Sequence, residues 1–297
     1  MTDAASTLSR ASTAATTSAP ATGVTDDLDR RGAGSIVADL ARMVWGMIVA
    51  LAALLVVWVA FLRIFDVNAF VGVGPVRVWN HLVTDPDAAE HRTGVIDGLG
   101  RTLLDAGSGL IIGGATSIAV ACLFVLYKPL ERALLPIGVA FQTVPIVALV
   151  PLLALLFGRG LVSTIIVTGI IVFFPTLVFV THGLRSVSPQ SVELMRVYNA
   201  GELETLLKLR LPSALPSIFA AAKIAVPGSI LGALLAEWLV TGTGLGYEML
   251  ISTTRNEYPQ LWAAAATLTA FAIIVYTLTN IVERIVLARF APEHVTL

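Results

Sequence analysis

The chain is short of charge. Of its 297 residues only 13% are Asp, Glu, Lys or Arg, about half the share of a soluble globular domain, while 56% are hydrophobic and the mean hydropathy is +0.85. That composition is a polytopic membrane protein's. Net charge is -1 and no basic tract alternates with exposed aromatics, which excludes a nucleic-acid partner. A single cysteine, Cys122, excludes an intrachain disulfide and, inside an apolar run, reads as a buried thiol. The four histidines, His81, His91, His182 and His294, lie on separate segments, with no H-E-x-x-H and no cysteine cluster, so no metal site is expected. "DAGSGL" around Ser108 lacks the first glycine of a hydrolase elbow. "TGTGLGY", Thr241 to Tyr247, matches neither phosphate-binding glycine pattern and follows no strand, so a tight turn is expected there. Nothing in the chain binds and splits ATP. No cofactor is expected on it, and any active transport must draw energy from a partner or an ion gradient.

What is present is hydrophobic sequence in lengths that cross a bilayer, about 20 residues each. Six spans are expected, in an all-α fold: Met43 to Leu62, Thr102 to Tyr127, Ala133 to Phe157, Leu161 to Leu184, Ser213 to Val240 and Leu261 to Leu287. Ahead of them the first 35 residues, rich in Ser, Thr and Ala, have almost nothing to bury and read as a disordered tail. Asp3 and the acidic "DDLD" argue against a transit peptide, and the first apolar run is too long for a signal peptide's core, so it stays as a membrane helix. The domains are then a tail over 1–38, a membrane domain over 39–290 and a short tail over 291–297. The third span carries Pro136, Pro145 and Pro151, each without a backbone donor, and is expected to break near Thr143 and Val144. A broken helix at that depth either lines a watery path, which makes "QTVP" (Gln142, Thr143, Pro145) a pathway candidate, or is a packing kink.

Lys and Arg counts near the spans set orientation. With the N-terminus inside, the inner segments hold Arg30, Arg31, Arg42, Lys128, Arg132, Arg185, Arg196, Lys208, Arg210, Arg284 and Arg289. The outer ones hold only Arg63, Arg77, Arg92, Arg101, Arg159 and Arg255. Both termini are therefore expected in the cytoplasm. In the long outer segment Pro75 starts a short helix expected to carry Val76, Trp79 and Leu82 on one side, lying along the membrane face. Gly109 and Gly113 form a small-xxx-small pair for close helix contact, within one chain or between two copies. Charge at bilayer depth is costly and usually functional, and the candidates are Lys223 and Glu237, both in span five. Lys223 either faces a cavity or snorkels to the inner interface. Glu237, near the outer end, is expected to be exposed to an outer vestibule. An ion-coupled carrier would need several intramembrane acids, and spans one to four offer none beyond Asp105 at an expected helix start.

Between spans four and five stands "SPQSVELMRVYNAGELETLLKLRLPSALP", with three acidic and three basic residues between Glu193 and Arg210. Ser188 and Pro189 are a helix start, the serine capping free N–H groups and the proline losing no bond. Leu194 and Tyr198 share one face. Asn199, Ala200 and Gly201 end this helix, because Asn and Gly tolerate the left-handed conformation. A second short helix starts at Glu202, with Leu203, Leu206 and Leu207 expected on one side and the Glu204–Lys208 pair on another, and Pro212 restarts the chain as span five. A lipid-bound surface helix would carry excess Lys and Arg. This balanced hook fits a protein partner instead.

The hook "ELMRVYNAGELETLLKLRLP" resembles the E-A-A, Gly, I-x-L-P signature of permease subunits of binding-protein-dependent ABC importers. Glu193 falls on the signature Glu, Leu194 and Met195 replace the two Ala, Asn199 replaces Gly, Leu209 stands for Ile, and Leu211 with Pro212 gives Leu-Pro. "AFQTVPIVALVPLLALLFGRG", "FFPTLVFVTHGLRSV", "LPSALPSIFAAAKIAVPGSILGALLAEWL" and "GTGLGY" are similar to the nitrate, sulfonate, taurine and thiamine-precursor subgroup, over roughly residues 40 to 290. The resemblance implies a type I importer permease fold in the bacterial inner membrane. It implies a coupling helix that docks in a separate ATP-binding subunit, involving Glu193, Arg196, Tyr198, Asn199, Ala200, Gly201, Glu202, Leu209, Leu211 and Pro212. It also implies an extracytoplasmic substrate-binding protein, a second permease subunit, and transport rather than catalysis by this chain. The translocation-path candidates are Gln142, Thr143, Pro145, Lys223 and Glu237.

Overall fold

A computed structural model describes residues 33–290, which contain helices and no strand. The expected tails lie outside the described residues except for 33–38, which are helical. In order the helices are α1 (Ala33–Ile64), α2 (Pro75–Trp79), α3 (Ala88–Leu126), α4 (Lys128–Phe141), α5 (Ile146–Phe157), α6 (Leu161–Arg185), α7 (Pro189–Val197), α8 (Glu202–Thr205), α9 (Leu211–Ser213), α10 (Leu215–Ala236), α11 (Gly244–Thr254) and α12 (Tyr258–Phe290). Three π-helical turns extend or join them, at Asn80–Thr84, Leu206–Arg210 and Glu237–Thr241. The chain divides between Val44 and Trp45 into two units, and the packing described below belongs to the second.

Five described helices are long and apolar enough to cross a membrane, and the pair α4 and α5, bent by 103°, makes a sixth when counted as one span. The bend falls where the third span was expected to break. Pro136 and Pro151 sit inside continuous helix, whereas Pro145 precedes α5 in an extended conformation. Only there do the missing donor and the residue-before-proline restriction coincide with the end of the α4 ladder. The second span begins at Ala88 rather than Thr102. At 1.5 Å per residue its 39 residues are about 58 Å long, so the polar first turns stand beyond the roughly 30 Å hydrocarbon core. Asp105 is consequently not at a helix start but well inside α3, and buried.

The core is the packing of α3, α6 and α10. A Cβ on Gly113 would come within 2.8 Å of Gly169 Cα, and one on Gly232 within 2.8 Å of Thr168 Cα. Gly109 faces the Thr168 side chain just as closely. Ser117 Oγ donates to the Phe173 carbonyl at 2.9 Å. Gly109 and Gly113 are thus used within the chain, against α6, and neither is free to form a contact between two copies. Near the outer segment Trp58 of α1 stacks on Trp262 of α12 with centroids 5.1 Å apart, and the Trp262 indole N–H donates to the Val71 carbonyl at 2.8 Å. In α2 and its π-helical turn, Val76 and Trp79 point away from the bundle, as a helix on the membrane face requires, but Leu82 does not join them, and Val78 and His81 are buried against the protein. The extra residue of the π-helical turn displaces the i, i+3 register assumed from sequence.

Substituting Gly113→Ala should lower stability by about 1–3 kcal/mol through overpacking against backbone that cannot yield. Gly114→Ala, next to it but facing open space, should leave the thermal midpoint in detergent unchanged. Equal midpoints for the two variants would contradict this packing.

Candidate functional site

The hook leaves α6 at Arg185 and returns through α9. Ser188 accepts a hydrogen bond from the Ser191 N–H at 3.2 Å, with Pro189 in the first turn, so the predicted cap is formed. At the other end of α7 Asn199 has φ +56. The Ala200 N–H donates to the Met195 carbonyl at 3.0 Å and the Asn199 N–H to that of Arg196 at 2.9 Å. These are the two bonds of a Schellman motif with Asn at the left-handed position, which explains how Asn199 serves where the signature has Gly. Gly201 then sits in extended conformation ahead of α8. Arg196 and Glu202 approach to 3.9 Å across the turn, and Glu204 pairs with Lys208 at 2.5 Å as expected from their spacing.

The exposure pattern differs from the sequence expectation in one respect. Leu203 and Leu207 are exposed, but Leu206 turns inward with Thr205, because the π-helical turn beginning at Leu206 rotates successive side chains off the ordinary helical stripe. Leu206 packs with Phe124 of α3 and Leu177, Val180 and Leu184 of α6. Arg210 Nη1 donates to the Leu184 carbonyl at 3.2 Å, satisfying a free acceptor at the end of α6. Pro212 does not restart the chain cleanly. Helix continues from Glu202 to Ser213 and is interrupted only at Ala214, before α10. Leu209 and Leu211 are half-buried along this limb. Facing away from the bundle are Leu194, Val197 (81% exposed), Tyr198 (77%), Leu203 and Leu207, an apolar surface among Glu193, Arg196 and Glu202. Val197 was missed by sequence reasoning, although it lies only three residues past Leu194.

Of the embedded charges, Lys223 forms an ion pair with Glu283 of α12, the two side chains 29% and 16% exposed. A cavity or a snorkelling position was expected for Lys223, and Glu283 was overlooked as an embedded acid because it lies in the last turns of the sixth span. Glu237 is corrected more strongly. It is fully buried, not exposed to a vestibule. Its Oε2 accepts from the Gly246 N–H at 2.7 Å, and Thr102 Oγ1 accepts from the Leu245 N–H at 2.9 Å. A carboxylate and a hydroxyl thus cap the first N–H groups of α11, where the helix dipole favours negative charge. Gly244, at φ +88, lies so close to this carboxylate that no Cβ fits. "TGTGLGY" is accordingly the expected tight turn, with Gly242 also left-handed. Gln142, Thr143 and Pro145 are exposed at the break between α4 and α5, with Thr143 Oγ1 donating to the Ala140 carbonyl at 2.7 Å.

Residues 109–292 match the family model of the binding-protein-dependent transport system inner membrane component. The chain belongs to that family. It is a transport permease subunit of an ABC importer, a multi-pass protein of the bacterial inner membrane with the type I permease fold. It is 31% identical over 223 residues to a probable ABC transporter permease protein of Haemophilus influenzae, covering 75% of this chain and 89% of the relative. It is 33% identical over 186 residues to the formylaminopyrimidine transport permease protein ThiX of Halalkalibacterium halodurans, 63% and 74% of the two chains. The putative aliphatic sulfonates transport permease protein SsuC of Bacillus subtilis is 28% identical over 169 residues, 57% and 60%. Membership in this family implies partners that bind ATP and substrate.

The permease also holds a cluster that sequence reading dispersed. His81 and His91 stack with centroids 3.9 Å apart. His81 Nε2 donates to Gln260 Oε1 at 2.7 Å, Gln260 Nε2 to Glu248 Oε1 at 3.0 Å, and His91 Nδ1 to the His81 carbonyl at 3.2 Å. This ties the π-helical turn after α2 to α3, α11 and α12. Among the described residues no three His, Cys, Asp or Glu side chains are grouped to hold a metal ion.

In the permease, Glu237→Ala should cost about 1–3 kcal/mol by leaving the Gly246 N–H buried and unpaired, whereas Glu237→Gln keeps an acceptor and should retain most of the stability. Thermal unfolding in detergent reads both. For the embedded pair, Lys223→Met combined with Glu283→Leu should be more stable than either single variant, since each single change strands one charge. A double variant that unfolds at or below the lower of the two singles would contradict the pairing.

Proposed function

We propose that this permease works by alternating access and that its hook carries the motion of a separate ATP-binding subunit into the membrane helices. The observation that carries this reading is the division of the hook into two faces. Leu206 and Arg210 fasten it to the ends of α3 and α6, while Leu194, Val197, Tyr198, Leu203 and Leu207 are left without cover. An apolar helical face with charges at its rim suits a groove on a protein partner. In this reading the hook and both termini are cytoplasmic, as the Lys and Arg distribution favours. ATP is hydrolysed on the partner, and this chain carries no cofactor. Glu193, Arg196, Tyr198, Asn199, Ala200, Gly201 and Glu202 form the docking segment, with Leu209, Leu211 and Pro212 as its connection to α10.

The remainder of the assembly is a substrate-binding protein on the outer side and a second permease chain that completes the pathway. Gln142, Thr143 and Pro145 at the broken span are the pathway residues of this reading. Lys223 is paired with Glu283 as a structural ion pair, and Glu237 holds α11 in place. The substrate is a small nitrogen- or sulfur-containing solute. Pyrimidine vitamin precursors, alkyl sulfonates and nitrate are supported by the names of relatives, and taurine by the subgroup resemblance. An ion-coupled carrier is set aside by the family to which the chain belongs.

Deleting Asn199–Glu204 should abolish ATP-dependent uptake and copurification of the ATPase subunit while the protein still inserts. Uptake at the normal rate would overturn the coupling role. Asn199→Gly should preserve coupling, because glycine adopts the same left-handed conformation without cost. Asn199→Val should weaken it, since forcing a branched side chain there costs on the order of 1–2 kcal/mol. The checking measurement is ATPase activity stimulated by liganded binding protein in reconstituted vesicles.

A further inference from the structure

Beside the hook lies a cavity of about 740 Å³, outside the pathway and sharing only Glu193 and Arg196 with the docking segment. Its walls come from the end of α3, the start of α4, the end of α6, α7 and the π-helical turn after α8. Five cations reach it, Lys128, Arg132, Arg185, Arg196 and Arg210, against two carboxylates, Glu131 and Glu193. Glu131 is already engaged, buried in an ion pair with Arg185. Arg210 is held on the Leu184 carbonyl and Arg196 leans toward Glu202. Lys128 and Arg132, four residues apart on one face of α4, are exposed and make no ion pair or hydrogen bond among the described residues. The cavity therefore offers two uncommitted cations beside a surplus of positive charge.

Its other wall is apolar. Val125 lies at the end of α3, and Leu135 and Pro136 lie two turns into α4, so the site runs from charge at the start of α4 to apolar side chains about 10 Å further along that helix. A free inorganic anion would use only the first part, and an acidic protein segment would have to bury charge against the second. A phospholipid with an anionic headgroup uses both, its phosphate on the cations and its first acyl carbons along the apolar wall. Basic pockets between membrane helices near the headgroup level take such lipids. We propose that this cavity is a binding site for one anionic phospholipid, seated between α4 and the hook. Its position next to Glu193 and Arg196 places the lipid where it buttresses α7 from the membrane side, opposite the apolar face that the hook presents outward. The proposal rests on the reading of the hook only for its leaflet, the cytoplasmic one. Lipid binding is read on the permease directly, so it fails or stands apart from ATPase coupling.

The test uses the full-length permease, alone and assembled with its ATPase subunit, with dioleoyl phosphatidylglycerol and dioleoyl phosphatidylcholine titrated in native mass spectrometry. Phosphatidylglycerol should bind preferentially, in one tight copy per chain, both with and without the ATPase subunit. Lys128→Gln with Arg132→Gln should weaken that copy by about thirtyfold, at roughly 1 kcal/mol for each basic residue near the surface and 1.4 kcal/mol per tenfold. Arg77→Gln, on the exposed α2 at the far end of the bundle, should leave it unchanged. The double variant should unfold at the wild-type temperature in phosphatidylcholine, which separates loss of the site from loss of the fold. Equal binding of the two lipids, wild-type affinity in the double variant, displacement by millimolar inorganic phosphate, or displacement by the ATPase subunit would each overturn the assignment.

Discussion

The backbone contact between Gly113 of α3 and Gly169 of α6, extended by Gly232 of α10 against Thr168, is the constraint on which the rest of the bundle depends. Lipid tails are as apolar as leucine, so burying hydrophobic side chains does not by itself drive membrane helices together. Close approach of backbones does, through dense packing and weak polar contacts, and it requires residues without side chains on both surfaces. Once α3 and α6 are held at that distance, Ser117 reaches the Phe173 carbonyl, and Phe124, Leu177, Val180 and Leu184 close the end of the seam nearest the hook. Leu206 can then drop into that cluster. The hook's anchorage is thus a consequence of the glycine seam.

This arrangement gives the hook a mechanical character that its charge alone does not predict. A loop lying on the membrane surface would shift without moving the helices. Here Leu206, Ala214 and Ala221 belong to one cluster with α3 and α6, and Arg210 grips the last turn of α6. Because packed interiors are dense and do not deform continuously, the turn at Leu206–Arg210 and the ends of α3, α6 and α10 form one packed unit. At the opposite end of α10 the Glu237 cap fastens α11, so the same helix links the hook to the turn at Gly242.

Much of this was legible in sequence because membrane physics leaves few options. The break near Thr143 and Val144, the Ser188 cap and the left-handed Asn199 each follow from a local rule, and each was found where the rule put it. What stayed illegible depended on partners distant in sequence. Glu237 looked exposed because nothing local shows that the Gly246 N–H and Thr102 would meet it. Lys223 looked ambiguous because Glu283 lies 60 residues on and was counted with the span's end. The π-helical turns at Asn80 and Leu206 carry no special residue type, and each reassigned which side chains face inward. The hook was singled out by its pattern, but which of its side chains stand uncovered depends on the fold around it.

The break between α4 and α5 carries the argument beyond a single chain. In hydrocarbon every backbone polar group must find a partner. Gln142, Thr143 and Val144 donate back into the last turn of α4, but Pro145 donates nothing, and the first turn of α5 opens with N–H groups that no preceding helix can accept. None of the described residues covers Gln142 to Pro145, all of which are exposed. Lipid cannot satisfy these groups, so either water or another protein surface must lie against them. One permease chain alone cannot keep a watery path closed to lipid on that side, because the bend of 103° leaves the break open to it. The second permease chain proposed above would meet this requirement if it faced the break, because its surface would stand between the open backbone and the lipid.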